Sequence, residues 1–81
     1  MNGRVRLSDM RVGERATVTA LATGGGMRRR LMDIGLLQDA AVECVGKSPA
    51  GDPAAYLIAG AVIAIRREDG KNIFVHPQGA R

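Results

Sequence analysis

Arg28, Arg29 and Arg30 form the densest run of chemically capable side chains in the chain, and Asp33 follows close behind. A guanidinium presents a rigid, planar fork of donors that suits carboxylates and phosphates. Placed on a helix, these charges stand in the wrong order. Cations near the N-terminal end and an anion in the last turn each oppose the helix's partial charges, by about 0.3–1 kcal/mol when exposed. Arg29 and Asp33 are spaced for an ion pair, but basic-before-acidic is its poorer orientation. Two readings account for the cluster. In one, the arginine stems cover sheet edges and Asp33 accepts backbone hydrogen bonds beside Gly35. In the other, the arginine face meets an acidic patch on a partner protein.

The remaining groups offer less. Thr23-Gly24-Gly25-Gly26 precedes the arginines, and a glycine loop before a helix favours anions. No Gly-Lys-Ser/Thr follows, and no dinucleotide-binding spacing is present, so plain flexibility explains these glycines better than a phosphate cradle. His76 and Cys44 are the single residues of their kinds. Neither has a ligand partner at short spacing, whereas a transition-metal site wants several imidazole, thiolate or carboxylate groups converging on one point. Cys44 reads as a small buried hydrophobe and His76 as a solvated residue near the end of the chain. No nucleophile–base pair is placed together. Accordingly no catalytic residue, no cofactor and no metal site are expected. The Gly51-Asp52-Pro53 segment reads either as a rigid hairpin connection or as one wall of a partner groove. Leu36 and Leu37 follow the helix, one expected in the core and the other exposed, where it would add to an apolar patch beside that loop.

Composition narrows the classes further. The chain has 81 residues, 46% hydrophobic and 25% charged, which suits one small folded domain spanning 1–81 rather than a disordered chain. A domain of this size buries only roughly 60–65% of the surface its unfolded chain exposes, so the core is thin. The net charge is +4, from twelve basic and eight acidic residues, and only Lys47 and Lys71 are lysines. An acidic partner fits that surplus. Aromatic residues amount to 2%, Tyr56 and Phe74, which counts against base-stacking platforms for single-stranded nucleic acid. The uncharged stretch 53–65 is shorter than the roughly 20 residues of a membrane-spanning helix, and Gly60 interrupts it. It reads as a hairpin. One cysteine builds no internal disulfide and the start of the chain has no apolar signal segment, so a cytoplasmic location is expected.

The elements that must carry these groups are short. Residues 7–13 read as a turn with Ser8 as N-cap and Gly13 as its stop. Residues 16–21 alternate with period two, as a half-buried strand does. Met27, Leu31 and Ile34 share one face of a helix over 27–34. Gly35 stands where a left-handed C′ residue belongs, with Leu36 placed to pack on Leu31. Strands follow at 41–45, 54–59, 61–65 and 73–75, with a turn-rich loop at 47–53, a reversal at Gly60 and a charged turn over 66–71. Tyr56, Ile58, Ile63 and Ile65 are the expected core positions. Five short strands and one helix predict a mostly β protein, a bent sheet curling into a partly open barrel.

The run Met27-Arg28-Arg29-Arg30-Leu31-Met32-Asp33-Ile34-Gly35-Leu36 resembles the helix and Gly-Leu signature of the FeoA family. Leu7-Ser8-Asp9-Met10 with Gly13-Glu14, the 48–53 loop, and Gly60 leading into Ile63-Ala64-Ile65-Arg66-Arg67-Glu68 match in the same order. The resemblance covers about 7–76. It departs at Leu37-Gln38-Asp39, where the family commonly has a Pro-Gly turn, and at Ala61, often aromatic or polar. Asp39 tolerates the left-handed conformation that such a turn requires. The resemblance implies an SH3-like barrel and a cytosolic accessory protein of bacterial ferrous iron uptake. The implied partner is the cytoplasmic part of the FeoB transporter on its G-protein side, with peripheral placement at the inner membrane through that partner and no insertion. The surface so implied comprises Arg28, Arg29, Arg30, Asp33, Leu37, Gly51, Asp52 and Pro53. The alternative is a basic SH3-like regulatory module that binds nucleic acid or serves a metal-dependent repressor. Nucleic acid is the less expected partner, because no recognition-helix module is present.

Overall fold

The computed structural model describes residues 5–78. Strands β1 (Val5–Arg6), β2 (Arg15–Leu21), β3 (Ala41–Lys47), β4 (Ala54–Ile58), β5 (Ala61–Ile65) and β6 (Ile73–Pro77) join in one sheet. All neighbours are antiparallel, in the order β1-β6-β2-β3-β4-β5, so β1 and β5 are its free edges. Helix α1 spans Gly25–Asp33 and a one-turn helix α2 spans Arg67–Gly70. The result is the mostly β, curled and open sheet expected, with one strand more, because Val5 and Arg6 pair with Val75 and Phe74.

Two bulges produce the curl. Register shifts between Val18 and Ala20 against β6, and between Cys44 and Gly46 against β4. An extra residue on one strand bends it and increases its twist. The bulge in β2 also breaks the period-two alternation of 16–21. Ala16 and Val18 are buried, Ala20 is exposed, and the half-buried Leu21 packs against the core instead.

Inside the curl, Leu7, Met10, Val18, Leu36, Cys44, Tyr56, Ile58 and Ile73 are almost wholly buried, and the buried set contains no charged residue. Tyr56 and Ile58 lie where alternation placed them, Ile65 is buried, and Ile63 is only half-buried because β5 is an edge. The Tyr56 hydroxyl donates to the Leu7 carbonyl oxygen at 3.1 Å, so the one phenol of the chain enters the core with its polar end satisfied. Burial, reinforced by Cys44 and more weakly by Asp52 and Asp9, pushes its pKa up to about 12.

Local turns differ from the sequence reading in instructive ways. Residues Leu7–Asp9 form a 3-10 turn without a side-chain cap from Ser8, and Asp9 instead accepts from the Arg6 N–H at 3.3 Å. The charged segment 66–71 is not a simple turn but contains α2, because Asp52 accepts from the Arg67 N–H at 2.9 Å and caps it from another part of the chain. β4 stops at Ile58. Ala59 and Gly60 have φ of 50° and 83°, the pair of left-handed residues that a two-residue hairpin requires.

Candidate functional site

Helix α1 begins two residues earlier than its apolar spacing indicates, with Gly24 as an N-cap that supplies no side-chain hydrogen bond. It ends as the sequence indicates. The Leu36 N–H donates to the Leu31 carbonyl at 2.9 Å and the Gly35 N–H to the Met32 carbonyl at 3.0 Å, with Gly35 at φ +100°. Glycine is required there twice over, because a Cβ on Gly35 would stand 2.8 Å from the Ala59 Cβ. Leu31 is buried, and Met27 and Ile34 pack half-buried on the core, so the apolar stripe faces inward, Arg28 and Arg29 face out and Arg30 stands exposed at the stripe's margin.

Arg28, Arg29, Arg30 and Asp33 are all exposed. Arg28 donates through Nη1 to the Leu21 carbonyl at 3.0 Å and so ties the helix to β2. The ion pair between Arg29 and Asp33 does not form. Among the described residues the salt bridge is that of Arg15 with Glu43, at 3.4 Å across β2 and β3. Asp33 accepts none of the backbone hydrogen bonds one reading assigned it. Two guanidiniums and a carboxylate thus face solvent. Because α1 begins at Gly25, the expected opposition to the helix dipole does not hold for Arg30, which lies in the last turn, but only for Asp33.

Leu36 is fully buried and Leu37 is 44% exposed, so the adjacent leucines divide as anticipated. Leu37 does not, however, sit beside the 51–53 loop. Gly35 abuts Ala59 at the end of β4, whereas Asp52 and Pro53 immediately precede its start. At about 3.3 Å per residue the two lie a strand's length apart. Asp39, at φ 73°, supplies the left-handed turn after Leu37, and its N–H bonds the Val18 carbonyl at 2.7 Å. The loop itself is internally built. Gly51 donates to Ser48 at 2.7 Å, Ser48 donates to Pro53 at 3.1 Å, the Asp52–Pro53 bond is cis, and Asp52 is committed to α2. Pro53 remains exposed at its base, next to β4.

A groove of ≈ 440 Å³ joins the helix to this end of the molecule. Met27, Arg30, Leu31 and Ile34 form one wall, and Ile63, Ala64, Ile65, Arg66 and Asp69 form the other. Sequence reasoning singled out Arg30 but missed Arg66 and Asp69, whose place depends on where β5 ends and on α2 being capped by Asp52. A second cleft of ≈ 370 Å³ lies around Arg15, Glu43 and Leu57, and there the ion pair between Arg15 and Glu43 satisfies both charges within the chain.

Metal-ligating side chains do not gather. Among the described residues no three of the His, Cys, Asp or Glu side chains stand close enough to hold an ion. Cys44 is buried in β3 with its thiol 3.9 Å from the Gly46 carbonyl, and His76 lies exposed on β6 opposite Thr17. No helix among the described residues is long and apolar enough to cross a membrane.

A curled antiparallel sheet with a charged helix beside its β5 edge and a groove between them defines a small β module. The chain belongs to the FeoA domain family, whose model matches residues 5–77. It is 30% identical over 71 residues to a Porphyromonas gingivalis fusion of Fe(2+) transport protein A with the Fe(2+) transporter FeoB. That match takes in 88% of this chain and 8% of the fusion protein, so the chain spans a small part of that relative. The solution structure of the FeoA protein from Chlorobium tepidum superposes with a TM-score of 0.89 at 35% identity, over 95% of this chain and 73% of that one. The zinc-complexed FeoA of Stenotrophomonas maltophilia, described as a prokaryotic SH3-domain protein, is similar in fold with a TM-score of 0.75. Its identity is 24%, over 88% of each chain. The architecture is SH3-like, and the family is that of ferrous iron transport.

Proposed function

We propose that this chain is an accessory protein of ferrous iron uptake that binds the cytosolic part of an FeoB-type transporter and carries out no chemistry itself. The observation that carries this reading is the fusion relative, in which an FeoA-like segment and FeoB are one polypeptide. Covalent linkage holds two modules at high effective concentration. Fused or separate, the FeoA-like segment meets the transporter through its own surface. The proposed contacts are Arg28, Arg29, Arg30, Asp33 and Leu37, with Gly51, Asp52 and Pro53 at the far end of the face. Arg29, Arg30 and Asp33 are exposed and without ion pairs among the described residues, as docking on a partner of mixed charge requires. Binding regulates transport only if the chain holds one conformation of the transporter more tightly than another.

The nucleic-acid reading draws less support. Tyr56 is buried and Phe74 half-buried, leaving no exposed aromatic ring for base stacking among the described residues. The deciding experiment is association of the full chain with detergent-solubilised FeoB in each nucleotide state, beside a salt titration with non-specific duplex. Saturable, nucleotide-sensitive binding to FeoB supports the proposal. Absence of that binding, with duplex affinity falling steeply as salt rises, overturns it.

A further inference from the structure

We propose that the groove between α1 and the free edge of β5 takes an extended, carboxylate-bearing segment of the transporter, which adds to the sheet as another strand. This rests on the transporter-binding reading above and specifies its mode. Ile63, Ala64 and Ile65 are consecutive in β5, and all three line the groove. Successive strand residues point to opposite faces, so a cavity that touches three in a row looks onto the strand's edge rather than onto either face. That edge is open. β5 pairs with β4 alone and ends the strand order, and no backbone hydrogen bond from 61–65 runs to any other part of the described chain. An unpaired strand edge is a template for a further strand, main-chain bonds supplying affinity and side-chain pockets specificity.

The opposite wall fits such an occupant. Met27, Leu31 and Ile34 present the helix's apolar stripe to it, and Arg30 stands on the same wall. Arg66 lies across from them at the end of β5. The charged groups lining the groove are therefore Arg30, Arg66 and Asp69, and neither arginine has an ion pair among the described residues. Two guanidiniums against one carboxylate favour an incoming acid. A second copy of the chain complements this poorly. It would carry its own α1 and its own two arginines into the same cleft, setting four guanidiniums against two carboxylates.

The test uses the full chain with detergent-solubilised FeoB, read by hydrogen–deuterium exchange and by affinity. Arg30→Glu and Arg66→Glu are compared with Lys71→Glu, an equal charge change on a residue outside the groove lining. Expected results are slowed exchange of the 61–66 amides on binding and about a tenfold loss of affinity for each arginine variant. Lys71→Glu should stay within about twofold of the parent, with all melting curves retained. Binding of FeoB with exchange at 61–66 unchanged overturns the groove and leaves the transporter reading standing. No binding of FeoB overturns both. Protection at 61–66 that appears on concentrating the chain alone, with a doubled mass, assigns the edge to self-association and also overturns the proposal.

Discussion

The interior of the curled sheet and the outer flank of α1 are built from the same short chain on opposite terms. Inside, Tyr56 finds its partner in the Leu7 carbonyl, and the buried set contains no charge to be neutralised. Outside, Arg29, Arg30 and Asp33 have no ionic partner among the described residues; Arg30 suits the last turn of the helix, and Asp33 in that same turn does not. Packing and internal hydrogen bonds account for every residue type in the first region. In the second they account only for Arg28, through its bond to Leu21. Residues that packing and internal hydrogen bonds leave unaccounted for are the ones the proposed interface uses.

That contrast breaks if interior and flank respond alike to substitution. The largest effect is expected at Ile58→Ala, which empties a fully buried position and should cost about 2–5 kcal/mol in chemical denaturation. A loss near zero would mean that the core is not centred under β4. Gly35→Ala follows, at about 2–3 kcal/mol, since it forces a side chain into a left-handed position against Ala59. Tyr56→Phe should cost about 0.5–1.5 kcal/mol, because the Leu7 carbonyl keeps its second donor, the Met10 N–H at 3.1 Å.

The same tyrosine gives the interior a pH signature. Its folded pKa is raised from 10.0 to about 12, so its contribution is complete below pH 10 and is lost as pH climbs through 12. Stability should fall across that window by up to about 3 kcal/mol in the parent, and Tyr56→Phe should lack that step when unfolding is followed against pH. The smallest change in stability belongs to the flank. Arg28→Glu, Arg29→Glu and Arg30→Glu combined should leave the melting transition nearly in place. An acid at position 28 suits the first turn and one at position 30 opposes the last, each by about 0.3–1 kcal/mol. The net change is therefore little more than the loss of the exposed Arg28–Leu21 bond. Binding to FeoB should nevertheless weaken markedly in a direct affinity measurement. Intact binding by this variant would remove the flank from the interface.

Much of this was legible before any coordinates. The Gly35-Leu36 ending, the buried Tyr56 and Ile58, the division between Leu36 and Leu37 and the left-handed turn at Asp39 all follow from local rules. Each depends on residues within a few positions of one another, where backbone sterics and periodicity act alone. Of the misses, one is local and two come from far along the chain. Ser8 lost its capping role to Asp9, and α2 was hidden in a charged turn because its cap, Asp52, comes from a distant loop. The bulge in β2 moved burial from Ala20 to Leu21 because β6 sets its register.

The order of residues by itself determined a mostly β domain with one firmly ended helix and an arginine-rich outer face. The tertiary structure decided which strand would be an edge, and that the apolar stripe of α1 would run beside it with Arg30 and Arg66 across the gap. Helix endings and alternation arise from steric and solvation forces between near neighbours. A groove exists only where segments far apart in sequence are brought side by side by the curl of the sheet.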